Sequence, residues 1–182
     1  MTTRLGKGDH RGFAKIARDR QTGLIVQVGD WVLRRACDDL KAWQAAGLAV
    51  VRVAVNLSAR QFRHADLDQR IKALVASAAI DPGLIELEIT ESHLMHDPAH
   101  AIHVMRALRE EGIRIAIDDF GTGYSSLAYL TRFPVAALKI DRSFVAGIGR
   151  ETSDPAIVRT HHEIARPPRI TVIAEGVENQ AP

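Results

Sequence analysis

The sequence predicts an α/β fold in which consecutive βα units place their strands in a parallel sheet. Two observations carry this. After residue 30, five short apolar, β-branched runs alternate with segments of helical period, the pattern of strands joined by helical crossovers. Acidic and amide residues also interrupt or end those runs, and in such sheets the C-terminal strand ends hold the functional site. The chain has 182 residues, short of the roughly 250 of a complete (β/α)8 barrel. No repeat, low-complexity segment or linker divides it, so one domain is expected.

The elements follow in order. Residues 1–12 read as a disordered basic tail lacking the apolar stretch of a signal peptide, and residues 13–182 as the domain. Gly29-Asp30 predicts a turn and N-cap before a helix from Trp31 to Ala46. Its stripe is Val32, Leu33, Ala36, Leu40 and Trp43, and Gly47 stops it. Residues 50–57 (VVRVAVNL) predict a strand, Leu67 to Ala79 a helix, and 84–90 (LIELEIT) a second strand after the Asp81-Pro82-Gly83 turn. Asp97-Pro98 opens a helix with Ala101, Met105 and Leu108 on its stripe, ending at Gly112. A strand at 113–117 runs into Asp118-Asp119-Phe120-Gly121-Thr122-Gly123. A short helix from Ser125 to Arg132, a strand at 136–141, a helix from Asp154-Pro155 to Arg166 and a strand at 169–174 complete the series.

Composition excludes several classes. With 46% hydrophobic and 25% charged residues the chain reads as globular. A net charge of +2 and a pI near 8.9 are too mild for a DNA or RNA partner. No run approaches 18 apolar residues, so no membrane span is expected. A single cysteine, Cys37, cannot form an internal disulfide, which points to the cytoplasm; it reads as a packed small residue.

The polar residues point to chemistry. Asn56 ends the first run, Glu88 lies inside the second, Asp118 and Asp119 end the third, Lys139 and Asp141 close the fourth, and Glu175 follows the fifth. Carboxylate and amide oxygens without thiols suit Mg²⁺ or Mn²⁺. Two such ions about 3.5–4 Å apart activate a water and stabilise the leaving oxygen of a phosphodiester. In that scheme Lys139 holds the water or a phosphate oxygen, and Glu175 is the general base. Each acid alone also fits a buried carboxylate paired with arginine or capping a helix. Gly121-Thr122-Gly123 reads as a loop able to bend over a ligand, or as a plain strand-to-helix turn. Glu91 reads as its anchor, or as the start of the next helix. His93, His96, His100 and His103 have metal-like spacing, but Pro98 interrupts them, and a solvated surface is expected.

The segments Val55-Asn56-Leu57-Ser58, Glu86-Leu87-Glu88-Ile89-Thr90-Glu91-Ser92, Asp118 to Ser126 (DDFGTGYSS), Leu138-Lys139-Ile140-Asp141 and Ala174-Glu175-Gly176-Val177-Glu178 resemble the EAL domain family. These are bacterial phosphodiesterases that linearise cyclic di-GMP to pGpG. The likeness runs from about Gly23 to Gln180. It implies Asn56, Glu88, Asp118 and Asp119 as ligands of two Mg²⁺ or Mn²⁺ ions, Lys139 at the nucleophilic water and Glu175 as general base. It further implies Glu91 as loop anchor with Glu178 in support, Gly121, Thr122, Gly123 and Asp141 in a substrate-binding or flexible loop, and a possible homodimer. The implied fold is a modified TIM barrel.

The sequence also departs from the family. The Glu-Ala-Leu tripeptide and the last Gln-Gly-aromatic segment are absent from the 182 residues. The expectation is therefore a partial modified TIM barrel lacking its first and last strands, with open edges at both ends and impaired phosphodiesterase activity. A non-catalytic cyclic di-GMP-binding or protein-interaction module, a gene remnant and a mis-called start are the alternatives.

Overall fold

The computed structural model describes residues 24–120, 132–142 and 170–176. In chain order these form α1 (Leu24–Ala45), β1 (Val53–Asn56), α2 (Ala59–Phe62), α3 (Leu67–Ala78), a 3₁₀ turn (Pro82–Leu84), β2 (Ile85–Thr90), α4 (Glu91–His96), α5 (Pro98–Glu110), β3 (Arg114–Phe120), β4 (Ala137–Ile140) and β5 (Thr171–Ala174). The strands make one five-stranded sheet in sequential order, β1-β2-β3-β4-β5. This is the expected parallel α/β arrangement, with β1 and β5 at its edges. The described residues fall into two compact units, 24–87 with 107–114, and 88–106 with 115–120, 132–142 and 170–176. The tail at 1–12 and the helices expected at 125–132 and 154–166 lie outside the described residues, save Arg132.

In the first unit, α1 packs on α2, α3 and β1. Its stripe of Leu33, Ala36, Cys37 and Leu40 is buried against a core that includes Val53, Val55, Phe62, Ile71 and Val75. The helix begins earlier than the sequence suggests, because Gly29 and Asp30 lie inside it and form no turn or cap. Packing explains this: the Gly29 backbone meets the Gln61 side chain, and Asp30 pairs with Arg70 of α3, so tertiary contacts outweigh a local turn signal. Gly47, at φ +68°, ends α1 as expected, with the Leu48 N–H donating to the Trp43 carbonyl at 3.0 Å. Gly112, at φ +87°, ends α5 in the same way, the Ile113 N–H donating to Leu108 at 3.2 Å. At the end of α3 a non-glycine residue, Ala79, adopts the left-handed conformation at φ 53°.

In the second unit, Asp97 caps α5 by accepting from the His100 N–H at 3.0 Å, as the Asp-Pro pair predicts. The apolar face of α5 is buried at Ala101 and Met105. Strands β3 and β4 pair in parallel with Ala116 opposite Ala137 and Ile117 opposite Leu138, whereas Phe120 stands opposite Ile140. One extra residue is thus accommodated in β3 at Asp118-Asp119, a β-bulge. Strand β4 pairs with β5 without interruption, from Ala137–Thr171 to Ile140–Ala174. The Glu175 N–H continues the ladder by donating to the Ile140 carbonyl at 3.2 Å.

Candidate functional site: carboxylates gathered on a lysine

The bulge places two acids where a regular strand would place one. Asp118 and Asp119 together face the register position of Lys139, and Asp119 takes φ 51°. Aspartate tolerates the left-handed region better than most residues, and backbone outliers of this kind concentrate at functional sites. The two-residue period of β4 and β5 then puts Lys139 on the same side as Ile173 and, one pleat further, Glu175.

Lys139 is the centre of the arrangement. Its Nζ lies 2.7 Å from Glu175 Oε1, 2.8 Å from Glu88 Oε1 and 3.5 Å from Asp118 Oδ1. Burial by itself would lower the pKa of this ammonium. Hydrogen bonds to Glu175 and Glu88 and the negative charge of Glu88 and Asp118 overcome that and hold it above the ordinary lysine range. Lys139 is therefore a fixed cation at neutral pH. Burial pushes the Asp119 carboxyl up, and the neighbouring charges of Asp118, Asp141 and Glu175 push it further, while Lys139 pulls it down. Four strands and their C-terminal extensions thus supply one cation and a surplus of carboxylates. Such a surplus attracts a further cation.

The donor chemistry fits a hard divalent cation. Glu88, Asp118 and Asp119 offer hard oxygens only. Asp118 Oδ1 is buried without a hydrogen-bond partner, and the Lys139 ammonium at 3.5 Å stands beyond close hydrogen-bonding distance, so this oxygen is incompletely satisfied. Among the described residues no three His, Cys, Asp or Glu side chains already converge as metal ligands; the positive charge among these acids is that of Lys139.

The remaining expected residues divide by location. Asn56 stands exposed at the end of β1, in the first unit. Asp141 follows β4, half-buried. Glu91 begins α4, as the helix-start reading has it, and is buried at 1% exposure. Gly121, Thr122, Gly123 and Glu178 lie outside the described residues. Of the histidines, His96 and His103 are solvated as expected, whereas His93 and His100 are half-buried. Glu86 is not among the residues to which the sequence points. This buried carboxylate meets Arg114 Nε at 3.5 Å and Arg52 Nη1 at 3.7 Å, while Arg52 Nε also donates to the Gly83 carbonyl at 3.2 Å. Arginines beside β1 and in β3 were the available signal. Glu86 is matched by fixed guanidinium charge, which sets it apart from Glu88 two residues on.

Fold and site together define a protein of βα units with an oxygen-donor acidic centre at its strand ends. The chain belongs to the EAL domain family, whose model, described as "EAL domain", matches residues 5–182. It is 43% identical over 161 residues to the bifunctional diguanylate cyclase/cyclic di-GMP phosphodiesterase MucR of Pseudomonas aeruginosa, covering 88% of this chain and 24% of that protein. Against the solved structure of the MucR phosphodiesterase in complex with c-di-GMP, the TM-score is 0.81 with 41% identity, over 93% of this chain and 73% of that one. A manganese/cyclic di-GMP complex of BlrP1 from Klebsiella pneumoniae matches with a TM-score of 0.66 and 31% identity, over 81% of this chain and 38% of that one. The chain spans about a fifth to a quarter of the length of the curated relatives it matches. Among the described residues no helix is long and apolar enough to cross a membrane.

Proposed function

We propose that this domain binds cyclic di-GMP and opens one of its two phosphodiester bonds with the help of divalent ions, giving linear pGpG. The observation that carries the proposal is the gathering of Glu88, Asp118 and Glu175 on the Lys139 ammonium, in a family whose MucR relative is a cyclic di-GMP phosphodiesterase. Following the family pattern, Asn56, Glu88, Asp118 and Asp119 would hold Mg²⁺ or Mn²⁺. When bound, those ions supply Lewis-acid charge to the phosphate and acidify the attacking water. Lys139, fixed as a cation, donates hydrogen bonds to that water or to a phosphate oxygen and offsets charge on the phosphorane. Glu175, 2.7 Å from Lys139, takes the water proton as the new P–O bond forms and the old one breaks. Glu91, with Glu178, is proposed to anchor the Gly121-Thr122-Gly123 loop, and Asp141 to line the substrate side. The buried Cys37 supports the cytoplasm as the compartment. A homodimer, implied by the family, is checked on a sizing column.

The test is conversion of cyclic di-GMP to pGpG, followed by chromatography with Mn²⁺ or Mg²⁺ and with chelator. Metal-dependent product that falls at least about 10²-fold in Glu175→Ala is expected. Hydrolysis that is indifferent to chelator, or retained in that variant, overturns the reading. A second reading rests on the absence of Glu-Ala-Leu from the 182 residues: this polypeptide by itself holds cyclic di-GMP with impaired turnover. Calorimetric binding without pGpG supports that reading, and turnover at ordinary enzyme rates refutes it.

A further inference from the structure

A glycine inside a helix and a buried glutamine remain unexplained by the proposed chemistry. Gly29 lies in the second turn of α1, where glycine is destabilising relative to alanine. Its reason is spatial: a Cβ there would fall 1.7 Å from Gln61 Nε2 and 2.3 Å from Gln61 Cδ. The Gln61 amide, 4% exposed, lies directly on the α1 backbone. From that position its Oε1 accepts from the Ser58 N–H at 3.1 Å and from the Ser58 hydroxyl at 2.7 Å. Ser58 Oγ in turn accepts from the Gln61 N–H at 3.3 Å. This reciprocal capping box opens a helix of only four residues. Three hydrogen bonds and a helix-interior glycine are a large provision for one helical turn. What they fix is the chain path immediately after β1. Asn56 sits two residues before the box, with the buried Leu57 between them.

We propose that Gln61, held against α1 by Gly29, is a positioning residue that sets the direction of the Asn56 side chain through the Ser58 cap. The proposal rests on the reading of Asn56 as a divalent-ion ligand. Groups hydrogen-bonded directly to a metal ligand commonly change affinity by 10–100-fold when lost; Gln61 bonds Ser58, two residues from Asn56 along the backbone, so the lower end of that range is the expectation. Gly29 acts only through Gln61, so its effect and that of Gln61 do not add.

The experiment titrates the full 182-residue chain with Mn²⁺ alone and reads free Mn²⁺ by its electron paramagnetic resonance signal, with folding followed by circular dichroism. Asn56→Ala, Gln61→Ala, Gly29→Ala and the Gly29→Ala/Gln61→Ala pair are compared with Ile71→Val, a core change in the same unit. Gln61→Ala and Gly29→Ala are expected to weaken Mn²⁺ binding by about ten-fold. The pair should be no weaker than Gln61→Ala alone, and Ile71→Val should bind as the parent does. Unchanged affinity in Asn56→Ala overturns the ligand reading and this proposal with it. Weakening in Asn56→Ala but not in Gln61→Ala overturns the proposal alone, as does a weakening in the pair that sums the single effects. If Gln61→Ala loses its helical signal, Ser58→Ala replaces it, because that change removes the hydroxyl and leaves the amide against Gly29. At least a three-fold loss is then expected, and an unchanged affinity is refuting.

Discussion

Replacing Lys139 by methionine removes the cation from among Glu88, Asp118 and Glu175 while keeping similar length and volume. At an effective dielectric constant near 20, each contact of 2.7–3.5 Å corresponds to a gross attraction of about 5–6 kcal/mol. Most of this offsets the desolvation of the charges. Removing one partner from a buried pair costs about 3–5 kcal/mol in practice. The Glu175 side chain is 26% exposed and the Lys139 side chain 12%, so solvent screening places the expected loss at the lower end, about 3 kcal/mol. With a urea slope near 2 kcal/mol/M, the midpoint at pH 7 in chelator falls by roughly 1.5 M. The sign of the pH dependence follows from the raised Lys139 pKa. In the parent chain the contribution is complete below the ordinary lysine pKa of about 10.4 and declines as pH rises towards the higher folded value. The deficit of the variant is therefore complete at pH 7 and shrinks only as alkaline pH removes the ammonium from the parent. Urea melts of parent and variant at pH 7 and above pH 10 decide the matter. A loss below about 0.5 kcal/mol at pH 7, or a deficit that widens above pH 10, refutes the claim that Lys139 neutralises this cluster.

Two further outcomes follow from local geometry. Ala79→Gly should stabilise the chain by about 0.5 kcal/mol in thermal melts, because relief of a left-handed alanine outweighs the added freedom of the unfolded chain; a lower melting temperature contradicts this. Cys37 is 1% exposed and its thiol pKa is pushed up by burial, with Asp38 adding to the effect. Alkylation by iodoacetamide at pH 8 should therefore be at least about 100-fold slower in the native chain than in urea, and equal rates would show that the helix does not cover it.

The strand and helix series was legible because strand and helix periods differ. The β-branched run before Asn56, the LIELEIT run and the α5 stripe read correctly for that reason. Element ends were less legible where packing decided them. A Gly-Asp pair reads as a turn, but in α1 it faces Gln61 and Arg70 from within a helix. The short helices α2 and α4 carry too few residues to show a period. The alternation also marks Glu88 within a strand, and Asp118, Asp119, Lys139 and Glu175 at or after strand ends, as polar interruptions of apolar runs. The pairing of Glu86 is not legible in this way, because its partners, Arg52 and Arg114, are distant in sequence.

The parallel α/β order and the hard-oxygen character of the site follow from residue type and spacing along one dimension. That Lys139 joins Glu88, Asp118 and Glu175 is legible only in three dimensions. That outcome depends on the pairing register of β3, β4 and β5 and on a single extra residue at Asp118-Asp119. Register is set by pairing between distant segments, and a one-residue slip would turn each side chain to the opposite face.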